Sequence, residues 1–187
     1  LELVEILFNA IDSIFRCGYF RVTRTSRRVF LFAYRSQQAM TDLEKLDIER
    51  QGEIVSISYA RLLDFGQYDE LAELFTIDAV LNAGMPLAGR ENIRLGLNKR
   101  PAKLRSRHVL TNIHTEILDD ETAKGISYLS LYRHIGDESL TSEVIEFDGP
   151  AAIGHYSDEF RSEGAVWKIH QRVLTISFRN PKYFARR

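Results

Sequence analysis

After Met40, apolar positions first recur at helical spacing and later alternate with polar ones. Thr41 is a good N-cap, with Glu44 three residues on, so a helix is expected to begin at Asp42. Ile54, Ile57, Tyr59, Leu62 and Leu63 continue it toward Gly66, a natural stop. A second, short helix is expected over residues 68–75, with Leu71, Leu74 and Phe75 on one side. Ala79, Val80 and Leu81 read as a short strand, followed by a turn at Gly84-Met85-Pro86. A third helix opens at Gly89 and should end near Pro101, because the residue before a proline avoids the α region.

From residue 107 the period becomes two. Residues 107–118 read as a long strand with Val109, Ile113 and Ile117 on one face. Asp119-Asp120-Glu121 supplies a turn, and residues 122–135 form the hairpin partner. Residues 136–150 are loop-like around Gly136, Gly149 and Pro150, with room for a short strand at Val144-Ile145. Residues 151–162 and 165–178 make a last hairpin through Ser162-Glu163-Gly164. Helices first and long antiparallel strands last predict an α+β domain, a curved sheet wrapped around helices.

The first 39 residues differ in composition. They hold six arginines, no lysine and the only cysteine, Cys17. Glu2 and Glu5 fit neither a basic signal-peptide start nor an acid-poor transit peptide. The expectation is upstream sequence not native to a domain spanning residues 40–187. The alternative is a real extension, apolar from Leu3 to Phe15, that packs on the domain or a partner. Without its six arginines and three acids, the rest carries a formal charge of −4. That sign disfavours nucleic acid as a partner. No apolar run reaches the roughly 20 residues of a spanning helix, so no membrane role is expected. One cysteine asks for no oxidising compartment, and the expected location is cytoplasmic.

Candidate chemistry centres on Asp64, which interrupts Leu62-Leu63-Asp64-Phe65 at the end of the first helix. A carboxylate there is disfavoured by the helix dipole and by desolvation, both of which raise its pKa, so it needs a donor partner. On the residues alone, Asp64 reads equally as a solvated helix end beside Gly66, and His108 as a satisfied strand histidine. The remaining histidines, 114, 134, 155 and 170, are dispersed along strands, so no metal site is expected. No phosphate-cradling glycine loop is present, and no cofactor is expected.

Several strings occur in a telling order: Tyr59-Ala-Arg-Leu-Leu-Asp64-Phe-Gly-Gln-Tyr68, Leu74-Phe-Thr-Ile-Asp-Ala-Val80, Gly89-Arg-Glu-Asn-Ile93, Arg107-His108-Val-Leu-Thr-Asn112, Gly154-His-Tyr156-Ser-Asp158-Glu-Phe160 and Trp167-Lys-Ile-His-Gln-Arg172. Together they resemble the SnoaL-like branch of the ketosteroid-isomerase and nuclear-transport-factor-2-like superfamily, over essentially all of residues 41–178. The resemblance implies a cone-shaped curved sheet, antiparallel or mixed, whose open end makes a pocket closed by the helices. It covers dehydratases, a dehydrochlorinase, isomerases, cyclases and non-catalytic dioxygenase β subunits, so the fold alone does not choose an activity.

The resemblance to scytalone dehydratase and bile-acid 7α-dehydratase places His108 where that branch has the histidine partner of the aspartate. Such a pair orients an imidazole to take a proton from substrate. Tyr59, five residues before Asp64, also matches, though five helical residues turn through about 140° and a core tyrosine is the plain alternative. The family's further acid or histidine from the second long strand is missing. Tyr128, Ser130 and Tyr132 share one face there and are expected to supply a hydroxyl instead. Tyr156, if Phe160 packs inward, and Asn112 complete the expected substrate contacts. Asp158 with Arg172 reads as a structural bridge, and Trp167 and Ile169 as core.

These expectations sum to a cofactor-free lyase or isomerase for a small hydrophobic or aromatic substrate, assembled as a homodimer or homotrimer. The competing class is a binding or assembly module like the dioxygenase β subunits.

Overall fold

The computed structural model of the protein describes residues 39–184 except residue 165. The expectation for residues 1–39 concerns a segment that, but for Ala39, lies outside the described residues.

Helix α1 (Asp42–Asp64) starts on a capping box. The Thr41 hydroxyl accepts the Glu44 N–H, and the Glu44 carboxylate accepts the Thr41 N–H. Its buried stripe runs Ile48, Gly52, Val55, Tyr59, Ala60 and Leu63, largely in steps of three and four. Ile54 and Ile57 are each 45% exposed, which corrects the expected face. The inward face follows Ile48 and Gly52, not Ile54 and Ile57. A Cβ at Gly52 would stand 2.6 Å from the Thr115 hydroxyl, so the missing side chain lets α1 lie against a strand. Beyond the helix end, Gly66 takes φ 70 and turns the chain.

Helix α2 (Tyr68–Ala72) stops three residues short of expectation, because Phe75 already begins β1 (Phe75–Asn82) beside Ile169. β2 (Pro86–Ala88) turns back on β1. Helix α3 (Arg90–Leu97) ends earlier than Pro101, where the Asn98 side chain donates to the Arg94 carbonyl. β3 (Leu104–Ile117), β4 (Thr122–Ile135), β5 (Ala152–Glu163) and β6 (Val166–Arg179) are the long strands. Residues 143–147 contain no strand, and Val144 is 95% exposed. A short 3-10 turn, Asp137–Leu140, precedes them.

The six strands form one open mixed sheet in the order β2-β1-β6-β5-β4-β3, with only β1 and β6 parallel. Its curvature has a visible source. Register slips between Thr111 and His114, where Asn112 takes φ 50. Further slips lie along β5–β6 and β1–β6. Bulges of this kind bend and twist a sheet. Helix α1 packs against β3 and β6 on the concave side, over a core that includes Leu71, Phe75, Ile93, Leu129, Phe160, Trp167 and Ile169. The bulge at Asn112 also breaks the expected face of β3. Ser106 and Thr115 are buried on either side of it, while Val109 is 47% exposed. Among the described residues, no helix is long and apolar enough to cross a membrane.

Candidate active site

The last residue of α1 meets the first half of β3. Asp64 Oδ2 accepts the backbone N–H of His108 at 2.7 Å. Its Oδ1 accepts the Ser106 hydroxyl at 2.9 Å and lies 2.5 Å from His108 Nδ1. Ser106 and His108 are two apart on the strand, so both side chains fall on the concave face. Each side chain of the Asp64–His108 pair is 7% exposed.

Burial works against the charged carboxylate. The His108 ring, its charge, its N–H and the Ser106 hydroxyl outweigh that penalty and bring the Asp64 pKa below the ordinary value. The expectation of a raised pKa is therefore corrected: the helix end is not left to itself but is covered by donors from β3. An ionised carboxylate only accepts, so Nδ1 carries the proton toward Asp64. In the neutral ring, Nε2 is then the basic nitrogen, and among the described residues it has no hydrogen-bond partner. Ser106 was missed by sequence reasoning, although period two from His108 points to it.

A second polar cluster lies deeper. Arg172, fully buried on β6, donates from Nε and Nη2 to the two oxygens of Asp158, both at 2.7 Å. Nη2 also reaches the Ser56 hydroxyl at 3.2 Å. The guanidinium carbon lies 4.2 Å from the Tyr59 ring centre and 4.6 Å from that of Tyr156. The expected Asp158–Arg172 bridge is present, Phe160 packs inward at 1% exposure, and Tyr156 is inside with it. The bridge does not use all of the arginine, since Nη1 is buried without a partner, as is the Ser127 hydroxyl beside Tyr156. Burial raises the pKa of Tyr59, and of Tyr156 more strongly, so both remain hydrogen-bond donors at neutral pH.

Tyr59 thus belongs with Tyr156 and Arg172. In the register of the sheet, His108 pairs with Leu131, Leu110 with Leu129, and Ser127 with Tyr156. The polar clusters therefore stand at two ends of a leucine-lined floor.

Tyr128, Ser130 and Tyr132 are not part of it. β4 turns Ala123, Ser127, Leu129 and Leu131 inward, which sends the intervening residues to the convex face, where Tyr128 is 51% and Tyr132 37% exposed. The leucines set the phase of the strand, and the hydroxyl series that looked functional is its outer side. Asn112 is also misplaced as a substrate contact. It is exposed at the β3 bulge, where its left-handed backbone explains an asparagine. The inward hydroxyl of β4 is Ser127.

Outside the pair, a cleft of about 690 Å³ opens at Asp64, lined by Tyr68, Arg100, Arg105, Ser106 and Arg107 among others. No group of three potential metal ligands occurs among the described residues.

The first helix delivers an aspartate to a histidine on the first long strand of an α+β cone, and for the fold the comparisons agree. A model of the SnoaL-like domain matches residues 53–173, and the chain belongs to that family. Among solved structures, it is similar to a protein of Novosphingobium aromaticivorans provisionally named a scytalone dehydratase. The two are 21% identical with a TM-score of 0.64, over 79% of this chain and 94% of that one. It is also similar to a hexachlorocyclohexane dehydrochlorinase, LinA type 2, at 17% identity and TM-score 0.61, over 75% and 92%. A provisionally named aromatic ring hydroxylase, also of Novosphingobium aromaticivorans, is 23% identical with a TM-score of 0.56, over 75% and 93%. At these identities the likeness concerns the fold. None of the curated proteins matches the sequence.

Proposed function

We propose that this chain is a cofactor-free lyase or isomerase of the cytoplasm that removes a proton next to a carbonyl, or its alcohol equivalent, on a small cyclic or aromatic substrate. The observation that carries the reading is the orientation of His108. Three donors hold the Asp64 carboxylate ionised, it accepts Nδ1–H, and Nε2 is presented as the general base. Asp64 is a positioning residue that also stabilises the imidazolium formed when the proton arrives. The developing enolate oxygen needs donors, and the buried Nη1 of Arg172 and the Ser127 hydroxyl have no partner inside the protein. Tyr156 and Tyr59 add neutral hydroxyls at the same end. The residues between the clusters on this face, Leu129 and Leu131 among them, are apolar. The dehydrochlorinase and the provisional dehydratase among the similar structures support proton removal followed by loss of a leaving group.

The test does not require the natural substrate. A panel of cyclic and aryl ketones in D2O reports proton removal as deuterium uptake beside the carbonyl, read by mass spectrometry. At least one ketone should exchange, with a loss of about 10²-fold or more in His108→Ala and a smaller loss in Asp64→Asn, both variants folded by circular dichroism. A His108→Ala variant exchanging at the parent rate sinks the proposal.

A second reading, an assembly module, is favoured by the convex face, where Val109, Ile126, Tyr128, Tyr132, Ile153 and Phe178 are exposed together. It expects a homodimer or homotrimer, or a larger partner subunit, on that face. It also expects indifference to both substitutions above.

A further inference from the structure

Arginines on the inward side of the sheet are treated in two ways. Arg172 is matched oxygen for nitrogen by Asp158. At the other end of the floor, Arg133 of β4 pairs in register with Ser106, two residues beyond the Leu131 that faces His108. Its Nε is buried and has no partner. Its guanidinium lies 4.7 Å from the ring centre of Phe184, and the guanidinium of Arg179 lies 4.7 Å from the same ring. Arg100 joins from the loop after α3, donating to the Ser106 hydroxyl at 3.3 Å. That hydroxyl is the one donating to Asp64.

Among the described residues, no acid pairs with these three cations. Ion pairs of arginine belong there to Arg50, Arg90, Arg94, Arg161 and Arg172. Burial, then the charges of Arg100 and Arg179, push the Arg133 pKa down, the signature of like charges held together. The acid linked to the group is Asp64, reached from Arg100 only through Ser106, and its oxygens are already occupied by Ser106 and His108. Like charges confined in a partly buried site are unfavourable unless an anion offsets them. Guanidinium forks match a planar oxyanion through two parallel N–H bonds. The cleft of about 690 Å³ is lined by Arg100 and Ser106, and solvent reaches the corner at Arg179, which is exposed, while Arg133 is half-buried.

The geometry points to an anion subsite, formed by Arg100, Arg133 and Arg179, that holds a carboxylate or similar oxyanion carried by the substrate. This inference rests on the acid–base reading of His108 and extends it to a substrate class, ring-bearing organic acids. Two residues along a strand span about 7 Å, so an acid held at Arg133 places the ring it carries beside the His108–Leu131 pair. Phe184 offers a face against which the anionic end is shielded from water. The other polar cluster, at Arg172 and Ser127, then receives the oxygen at the far side of the ring.

Calorimetric titration of the full chain with benzoate, its neutral isostere benzamide, and inorganic phosphate tests the subsite without any turnover. Benzoate should bind at least about tenfold more tightly than benzamide, with an advantage that shrinks as salt is raised. Arg133→Gln should erase the advantage, and Arg179→Gln should reduce it. His108→Ala should keep it while losing deuterium exchange, so failure of the subsite and failure of the catalytic reading are separable. Equal binding of benzoate and benzamide, or no detectable benzoate binding, overturns the proposal. Phosphate binding as tightly as benzoate also overturns it, in favour of a site for the free ion. If Arg133→Gln fails to fold, the salt dependence and the benzoate–benzamide ratio of the parent protein decide by themselves.

Discussion

At the scale of single residues, the site depends on one carboxylate accepting more than one donor. Asp64 is usable at a helix C-terminus because β3 brings a ring nitrogen, a backbone N–H and a hydroxyl to its two oxygens. This has a consequence for acid stability whose sign follows from the depressed pKa. The native state binds this proton more weakly than the unfolded chain, whose aspartate titrates near 3.9. The stabilisation is therefore complete above about pH 4, declines below it, and is gone once pH falls beneath the native value. Asp64→Asn should be less stable than the parent at pH 7, and the gap should narrow with acid. Urea denaturation at pH 7, 4 and 3 measures this, and a gap that stays constant would remove Asp64 from the account of acid stability. Asp64 and His108 were legible as a pair only through the family resemblance, since each alone reads equally as an ordinary helix-end or strand residue. Ser106 was not, since a serine on a strand is unremarkable until its neighbour is known. Arg172 was legible as a bridge but not as a donor with an unused nitrogen, which depends on three elements closing around it.

At the scale of elements, phase separates what the sequence states from what it hides. The capping box at Thr41, the stop at Gly66 and the hairpin turns were legible because each is a local device with its own geometry. The inward sides of α1 and β4 were not, because both carry apolar residues on more than one face. On β4, aromatic and hydroxyl residues compete with leucines, and burial in the core chose the leucines. On β3 no single phase exists, since the bulge at Asn112 exchanges the faces midway. An asparagine in a strand is a weak signal for such a bulge, and its φ of 50 gives it a measurable role. Asn112→Val should destabilise the domain by about 1–2 kcal/mol, the cost of a left-handed conformation for a side chain that cannot bond locally. Asn112→Gly should stay close to the parent. Thermal or urea denaturation compares the two, and a neutral valine would mean that the bulge relaxes at no cost. The reversal of β2 on β1 and the extension of β1 back to Phe75 were hidden by polar residues inside a strand, Thr76 and Asp78 among them.

At the scale of the whole molecule, the order of helices and strands was enough for an α+β domain with a curved sheet, and the cone came from the family resemblance. The parallel pairing of β1 with β6 and the placement of β3 at one edge are tertiary choices that no local pattern states. Those choices assemble the candidate site. They set the end of α1 against an edge strand, leave the concave floor apolar between two polar ends, and turn Tyr128 and Tyr132 outward. The proposed role of His108 requires that this architecture fix one proton on Nδ1 and present Nε2 to a ligand. Nitrogen-15 spectroscopy of the histidine rings, with His108 assigned from the His108→Ala spectrum, tests it most directly. In the neutral ring the account predicts the Nδ1–H tautomer for His108, with that preference lost in Asp64→Asn. A neutral His108 protonated on Nε2, or a tautomer unchanged by Asp64→Asn, would contradict it.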